Sequence, residues 1–322
     1  MFNEVSIALE THIRDSCMNS TPIAQWQKTR SLLYAFWKFS RPHTIVGTTL
    51  SVWGLFALAV GVGEFTAASL LPPLVAWLAC LCGNVYIVGL NQLEDIEIDR
   101  VNKPHLPLAS GEFSPLQGRW IVGVTGIAAI AIAATQGIWL FATVAVSLAL
   151  GTAYSLPPLR LKRFPFWASF CIFTVRGVVV NLGLFLHFND GFPVSPEVWA
   201  LTLFVLGFTF AIAIFKDIPD FEGDKRYNIS TLTIRLGASA VSRLALVVIS
   251  LCDVAMAVGG LLWLPNANGT LVVTTHLAVL VLLWWRRRDL DLEDRGAIAR
   301  FYQFIWKLFF LEYIMFPIAC LW

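Results

Sequence analysis

Two spaced series of polar residues stand out in this chain because of what their side chains could bind together. The residues follow one another at i, i+4 and i+8 in the first series, and at i, i+3 and i+7 in the second. The series are Asn91, Asp95 and Asp99, and Asp217, Asp220 and Asp224. On a helix each series shares one face, and Mg²⁺ would relieve the repulsion between its carboxylates through the oxygen ligands that it prefers. We therefore interpret both series as metal-binding clusters; acidic loops paired with Lys and Arg are the alternative.

Two such clusters facing each other could hold Mg²⁺ ions against a diphosphate. The cations would neutralise the leaving group and promote cleavage of the C–O bond of an allylic diphosphate. Basic side chains in the neighbouring loops would share the charge that develops on the pyrophosphate. By their position these side chains are Lys103, Lys162, Arg163, Lys216 and Arg226.

Other polar positions have both a functional and a structural interpretation. Arg176 lies in the middle of an apolar segment, so it could anchor a substrate carboxylate or pair with an interior acid such as Asp253 or Glu312. Asn84 could line a cavity or form an interhelical hydrogen bond. His43 stands at the start of an apolar segment and is interpreted as an interfacial residue.

Composition indicates which elements must position these residues. Of the 322 residues, 57% are hydrophobic and 14% charged, and the mean hydropathy is +0.70, values that exclude a soluble domain. The apolar runs are continuous and near 20 residues long, which favours an all-α polytopic membrane protein over a barrel. We predict about nine spans, at 44–62, 71–92, 119–135, 138–155, 164–187, 197–215, 241–263, 270–285 and 301–321.

The distribution of positive charge predicts the topology. Lys and Arg gather before the first span and after the second, fourth, sixth and eighth, while the opposite loops at 61–70, 135–137, 187–197 and 264–270 contain none. This asymmetry predicts a cytoplasmic N-terminus. The first 40 residues lack the pattern of a secretory signal and are atypical of a transit peptide, which favours a prokaryotic inner or thylakoid membrane. Nothing in the net charge of +2 indicates nucleic acid as a partner.

A weak internal repeat organises the chain. Loops 93–118 and 216–240 are both rich in charge, and each follows a span and opens with one acidic series. We therefore predict two related four-helix halves, spans one to four and five to eight, around a central cavity, with the ninth span added. Residues 1–40 are predicted to be an N-terminal cytoplasmic segment, and residues 41–322 the transmembrane domain.

These motifs resemble those of the UbiA superfamily of intramembrane aromatic prenyltransferases, and the likeness covers the chain from about residue 38. The first family motif is met by Asn91, Asp95 and Asp99, with Gln92 in place of the usual Asp, so that Glu94 or Glu97 could compensate as a ligand. The second motif is met fully by Asp217, Asp220 and Asp224. Tyr154, Lys162 and Arg163 correspond to the tyrosine and the basic residues of the family's Tyr-Ser-x-Pro-Pro loop. The alternative interpretation is that this segment only ends a helix and carries the positive charges typical of a cytoplasmic loop.

Three segments resemble the homogentisate-prenylating branch of that superfamily. They are 91–109, 41–44, which contains Arg41, and 216–220. The resemblance implies homogentisate as the acceptor, phytyl diphosphate as the donor, Mg²⁺ as the cofactor and decarboxylation during transfer, giving a tocopherol or plastoquinone precursor. It also implies two helix bundles around a cavity that opens to lipid. Arg41, Arg163 or Arg176 could meet the carboxylate of such an acceptor.

Two other functions remain open on the sequence. The same chemistry could prenylate 4-hydroxybenzoate, a naphthoate or chlorophyllide. An ion-coupled transporter is the alternative from another class, but it would place its acids near the bilayer midplane rather than at span ends.

We expect the N-terminus in the cytoplasm and the C-terminus outside, because the loop charges lie on one side and the number of spans is odd. A membrane-impermeant thiol reagent applied to intact cells should label a single cysteine introduced at the C-terminal end and leave one at the N-terminal end unlabelled. Protection of both positions would mean an even number of spans.

Overall fold

The computed structural model describes residues 22–61, 68–227 and 229–322, and the regular structure in these ranges is helical, with no strand. Nine of the described helices are long and apolar enough to cross a membrane. They are α2 (Pro42–Val60), α3 (Leu71–Glu94), α6 (Pro115–Ala134), α7 (Ile138–Ser155), α8 (Pro165–Phe188), α9 (Pro196–Lys216), α12 (Ala238–Leu262), α13 (Gly269–Arg286) and α14 (Arg295–Leu321). The shorter helices are α1 (Pro22–Phe39), α4 (Ile96–Asn102), α5 (Pro107–Ser110), α10 (Phe221–Arg226) and α11 (Leu232–Leu236), and 3-10 turns cover Ala68–Leu70, Leu161–Arg163 and Arg287–Asp289.

The nine predicted spans are confirmed, and the main differences lie where polar caps extend the helices. The last span begins at Arg295 rather than 301, because the carboxylate of Asp294 accepts hydrogen bonds from two backbone amides of the first turn, at 2.8 and 3.0 Å. The third begins four residues early, where Ser114 and Gln117 form a reciprocal capping box. Hydropathy predicts only the part of a helix that lies in the hydrocarbon core, whereas these capping residues extend each helix beyond that part.

The spans form a closed ring. Each span contacts the next one along the chain, and α14 contacts α2 to close the circle. The cavity inside is lined by α2, α3, α7, α8, α9 and α14, while α6, α12 and α13 contribute nothing to its lining. The two halves predicted from the sequence are thus unequal, because α7 lines the cavity and its counterpart α13 does not. The ninth span takes that place, so it is a wall of the cavity rather than an addition to it.

A helix that hydropathy did not predict precedes the first span. α1 occupies the second half of the predicted 1–40 segment, whose first 21 residues lie outside the described ranges. The chain turns sharply at Arg41, whose φ of 52° is in the left-handed region. Phe39 at the end of α1 is fully buried, with its ring 5.8 Å from that of Phe113. α1 therefore packs against the bundle, and the turn at Arg41 presents that side chain to the interior.

A buried polar network joins the last three described spans, α12, α13 and α14. His276 on α13 lies between Asp253 on α12, with Nδ1 2.8 Å from Oδ1, and Glu312 on α14, with Nε2 3.6 Å from Oε2. All three residues are at most 4% exposed. The suggestion that either acid pairs with Arg176 is therefore wrong, because His276 occupies both. Such pairing is what allows ionisable side chains to stay inside a membrane protein.

Candidate active site

The two acidic series lie where α3 and α9 leave the membrane, and neither is on one continuous helix. α3 ends at Glu94, and Asp95 stands at the break before α4. In the second series Asp217 directly follows the last residue of α9, whereas Asp220 directly precedes the first residue of α10. The condition for one shared helical face, a continuous helix, is therefore not met by either series. In the second, Pro219 lies within the break, where its missing N–H and ring disfavour a continuous helix.

The two segments are fastened to each other. The Lys103 ammonium group, at the end of α4, lies 2.6 Å from both carboxylate oxygens of Asp220. The backbone amide of Gly223 donates a hydrogen bond to Oδ1 of Asn102 at 2.9 Å. A Cβ added at Gly223 would lie 2.3 Å from that same oxygen, so glycine is what permits the close approach. The acidic side chains of the two series are thereby brought to one polar cavity.

The basic loop after α7 neutralises the first series. The ammonium group of Lys162, which is 6% exposed, lies 2.6 Å from Oδ2 of Asp95. Arg160 donates to Oδ1 of Asp95 and to the carbonyl oxygen of Glu94, each at 3.2 Å. Sequence reasoning missed Arg160 as a site residue, because in a loop of cytoplasmic charges nothing marks which one turns inward.

Burial and mutual repulsion alter the acidity of the clustered carboxyls. Burial raises the pKa of Asp217 to about 6, and burial together with the charge of Asp220 raises the pKa of Asp224 to about 7. Burial also raises the pKa of Asp99. Burial also acts to raise the pKa of Asp220, but the positive charges of Lys103, Lys216 and Arg41 together outweigh it, and the pKa of Asp220 is lowered. A divalent cation in the cavity would favour the ionised form of all four.

The residues fit a metal ion that arrives with phosphate rather than one held by protein alone. In the described ranges, no three His, Cys, Asp or Glu side chains lie close enough together to form a ready-made metal cage. Asp99 is 5% exposed, and its Oδ2 is buried without a hydrogen-bond partner, so it is available as a ligand. Mg²⁺ usually takes one or two carboxylates, several waters and substrate phosphate oxygens. The carboxylates that line the polar cavity can supply the protein ligands of such an ion.

A second, apolar cavity continues from the polar one into the membrane. Its walls combine apolar side chains such as Leu148 and Leu184 with a few polar groups. Four polar residues line both cavities and so mark their junction: Arg41, Asn91, Tyr154 and Lys216. At the junction Arg41 donates to Oδ1 of Asn91 at 3.2 Å, and the Asn91 amide donates to Oδ2 of Asp95 at 3.0 Å. An anionic head group in the polar cavity could thus extend an apolar tail into the membrane cavity.

The structure brings thirteen of the fifteen predicted site residues to these cavities. Asn84 lines the membrane cavity and also donates to Oγ1 of Thr44 at 3.0 Å, so both of its interpretations hold. Arg163 and Arg226 are exposed and line neither cavity, contrary to expectation. Arg163 ends the 3-10 turn Leu161–Arg163, in which Lys162 is the buried residue. The guanidinium group of Arg226 lies over the Tyr227 ring, 6.0 Å from its centroid.

The substitution of Gln92 for the usual Asp has a structural explanation. Its side chain is 1% exposed and donates to the carbonyl oxygens of Phe39 at 2.7 Å and Val88 at 3.2 Å. Gln92 lies outside both cavity linings and fastens the end of α1 to α3. Glu94 and Glu97, the residues that could compensate as ligands, line neither cavity, and the exposed carboxylate of Glu97 is paired with Arg100 at 2.6 Å.

Two further residues escaped the sequence analysis. His43, which we interpreted as an interfacial residue, lines the membrane cavity, with its ring 4.8 Å from that of Trp306. Asn102 continues the helical spacing of the first series at i+11, a signal that could have been read. Position alone did not show which way the His43 ring turns.

Nine spans closed around an apolar cavity, with two acidic loops at its mouth, define this chain as a membrane-embedded prenyltransferase. It belongs to the UbiA prenyltransferase family, whose family model matches residues 46–308. It is 57% identical over 294 residues to the homogentisate phytyltransferase of Synechocystis sp., which covers 89% of this chain and 96% of that protein. It is 41% identical over 302 residues to homogentisate phytyltransferase 1 of Arabidopsis thaliana, which covers 89% of this chain and 76% of that protein.

The same fold occurs in a solved structure of a UbiA homolog from Archaeoglobus fulgidus bound to GPP and Mg²⁺. The two superpose with a TM-score of 0.64 over 89% of this chain and 99% of that one, at 16% identity. This likeness shows the ring of membrane helices to be the fold of the family.

Gly223→Ala should lower kcat/KM for prenyl transfer by roughly tenfold or more, which corresponds to about 1.4 kcal/mol of transition-state stabilisation. The added methyl group displaces Asn102 and breaks the bond that fastens the two acidic segments together. Transfer of radiolabelled prenyl diphosphate in isolated membranes measures the effect. Gly123→Ala is the matched control, because an added Cβ there meets nothing within 4 Å. Equal rates for the two variants would contradict the importance of this contact.

Proposed function

We propose that this chain transfers the phytyl group of phytyl diphosphate to homogentisate in a Mg²⁺-dependent reaction with loss of CO₂, giving a precursor of tocopherol or plastoquinone. The observation that carries the proposal is the pairing of two acidic segments across a polar cavity that opens into an apolar one. The 57% identity to a homogentisate phytyltransferase supports the choice of acceptor and donor.

In this proposal the polar cavity binds the diphosphate. Mg²⁺ would be held by Asn91, Asp95, Asp99, Asp217, Asp220 and Asp224, and when bound it would neutralise the leaving group. Lys103 and Lys162 already lie among these carboxylates, so their ammonium groups can share the negative charge of the pyrophosphate. Arg41, Tyr154 and Lys216 line the junction, where the C–O bond to the departing pyrophosphate would lie.

The acceptor ring and the prenyl chain would share the membrane cavity. The allylic C–O bond breaks and its electron pair leaves with pyrophosphate, while a ring carbon of the acceptor forms the new C–C bond and loses its proton. The bond to the side-chain carboxylate breaks to release CO₂, and the remaining carbon gains a proton. Exclusion of water by the apolar walls protects the allylic cation from hydrolysis.

The transporter alternative loses its main support. A transporter would need an acid within the membrane, and Asp253, which lies within α12, is paired with His276 outside the lining of both cavities.

The protein is an integral multi-pass membrane protein, and we place it in a prokaryotic inner or thylakoid membrane with α1 and both acidic segments on the cytoplasmic side. The concentration of Lys and Arg in the loops of that side supports this orientation. Within the chain, 41–322 is the proposed catalytic domain.

Asp95→Asn and Asp220→Asn should each lower the transfer rate by about 10²-fold or more, because each removes a ligand charge from a different segment. Activity of the unaltered protein should disappear when Mg²⁺ is chelated and return when it is restored. The exposed neighbours provide controls, and Glu97→Gln and Glu222→Gln should retain the parent rate. A folded Asp variant, judged by gel filtration, that works at the control rate would overturn the two-segment metal site.

Homogentisate should be prenylated in preference to 4-hydroxybenzoate and chlorophyllide when all three are offered with phytyl diphosphate. Alkylation by an allylic cation needs an electron-rich ring, and two ring oxygens supply more electron density than one. Mass spectrometry of the products formed by expressed membranes decides the outcome. If prenylated 4-hydroxybenzoate or esterified chlorophyllide dominates, the assignment of the acceptor is wrong, although the metal–diphosphate chemistry could stand.

A further inference from the structure

Arg176 is a cation placed deep in the wall of the membrane cavity. It lies eleven residues into α8, about 16 Å along the helix from its first residue. A charge at such depth is retained in membrane proteins where it faces a partner or a functional cavity. Among the residues that the structure describes, Arg176 forms no ion pair with an acid, and its side chain lines the membrane cavity.

The local backbone turns Arg176 toward that cavity. Residues Thr174–Val179 form a π-helix within α8, so the register of the helix shifts at this point. Such segments are often found at functional sites. On the facing helix α2, a Cβ added at Gly47 would lie 2.9 Å from Nη1 of Arg176, so the glycine leaves the room that the guanidinium group needs.

Aromatic rings hold the guanidinium group without using its hydrogen-bonding capacity. Its central carbon lies 5.2 Å from the ring centroid of Trp306 and 5.7 Å from that of Phe309, both on α14. Cation–π contacts of this kind stabilise the charge through the ring faces. The planar fork of N–H groups stays available, and it matches the two oxygens of a carboxylate.

The other two arginines considered for an acidic acceptor are less suitable than Arg176, one because of its hydrogen bond and the other because of its position. Arg41 is hydrogen-bonded to Asn91, which in turn binds Asp95, so it belongs to the acidic network at the junction. Arg163 is exposed and lines neither cavity. Arg176 therefore lines the membrane cavity without taking part in the hydrogen bonds of the acidic network at the junction.

We propose that Arg176 is the residue that selects acidic acceptors, by binding the side-chain carboxylate of the aromatic substrate and directing its ring toward the junction of the two cavities. This inference rests on the proposed function, since it takes an arylacetate to be the acceptor. It assigns the π-helix, Gly47 and the two aromatic rings one shared role, which is to present a desolvated guanidinium group to the substrate.

The test compares two acceptors that share a ring, homogentisate and methylhydroquinone, in which a methyl group replaces the carboxymethyl group. Arg176→Gln should raise KM for homogentisate by roughly tenfold or more, the usual weight of a charge-assisted hydrogen bond. KM for phytyl diphosphate and the rate with methylhydroquinone should stay unchanged. Arg176→Lys should restore part of the affinity for homogentisate, because it keeps the charge without the fork.

Two further variants separate selection from structural damage. Gly47→Ala presses on the guanidinium group and should raise KM for homogentisate selectively, with Arg176 intact. Arg243→Gln alters an exposed arginine of α12 and should leave both KM for homogentisate and the rate with methylhydroquinone unchanged. Equal losses with both acceptors, or a raised KM for the donor, would overturn the proposed role. If the unaltered protein prenylates methylhydroquinone but not homogentisate, the proposed function fails, and this inference fails with it.

Discussion

The site depends on lysine and arginine side chains that neutralise carboxylates in a buried place. Asp95 is matched by Lys162 and Arg160, and Asp220 by Lys103. Without these cations, acids gathered at the end of a membrane span would repel one another and separate into water. Lys103 also belongs to the first segment while its partner belongs to the second, so the same ion pair determines the distance between the two halves of the site.

Charge within the membrane is handled in two different ways in this chain. Asp253, His276 and Glu312 lie against one another away from both cavities, which makes them a link between α12, α13 and α14. Arg176 is instead supported by ring faces and keeps its donors unused. A mutually paired cluster has a structural explanation in its own contacts, whereas an unpaired cation in a cavity wall needs a ligand to explain it.

Sequence established the spans and most of the site but could not establish orientation within loops. Apolar runs near 20 residues fix the positions of membrane helices because the hydrocarbon thickness leaves little choice. The acidic series were recognisable since their spacing survives a break in the helix. The role of Gln92, in contrast, could not be predicted from the sequence. Its hydrogen-bond partner is the carbonyl group of Phe39, which lies on a helix that hydropathy does not detect. Arg160 and Arg163 differ by three positions in one loop, and only the tertiary contact of Arg160 with Asp95 shows which turns inward.

Closure of the ring between the first and last spans has a consequence for biogenesis. The wall that carries Trp306 is in α14, the final 27-residue helix, and its neighbours on either side are α13 and α2. During synthesis the cavity therefore remains open on one flank until α14 has been made and inserted. A nascent chain that stops after α13 would contain both acidic segments and yet lack one wall of the cavity, so the enclosed chamber forms only when α14 packs against α2 and α13.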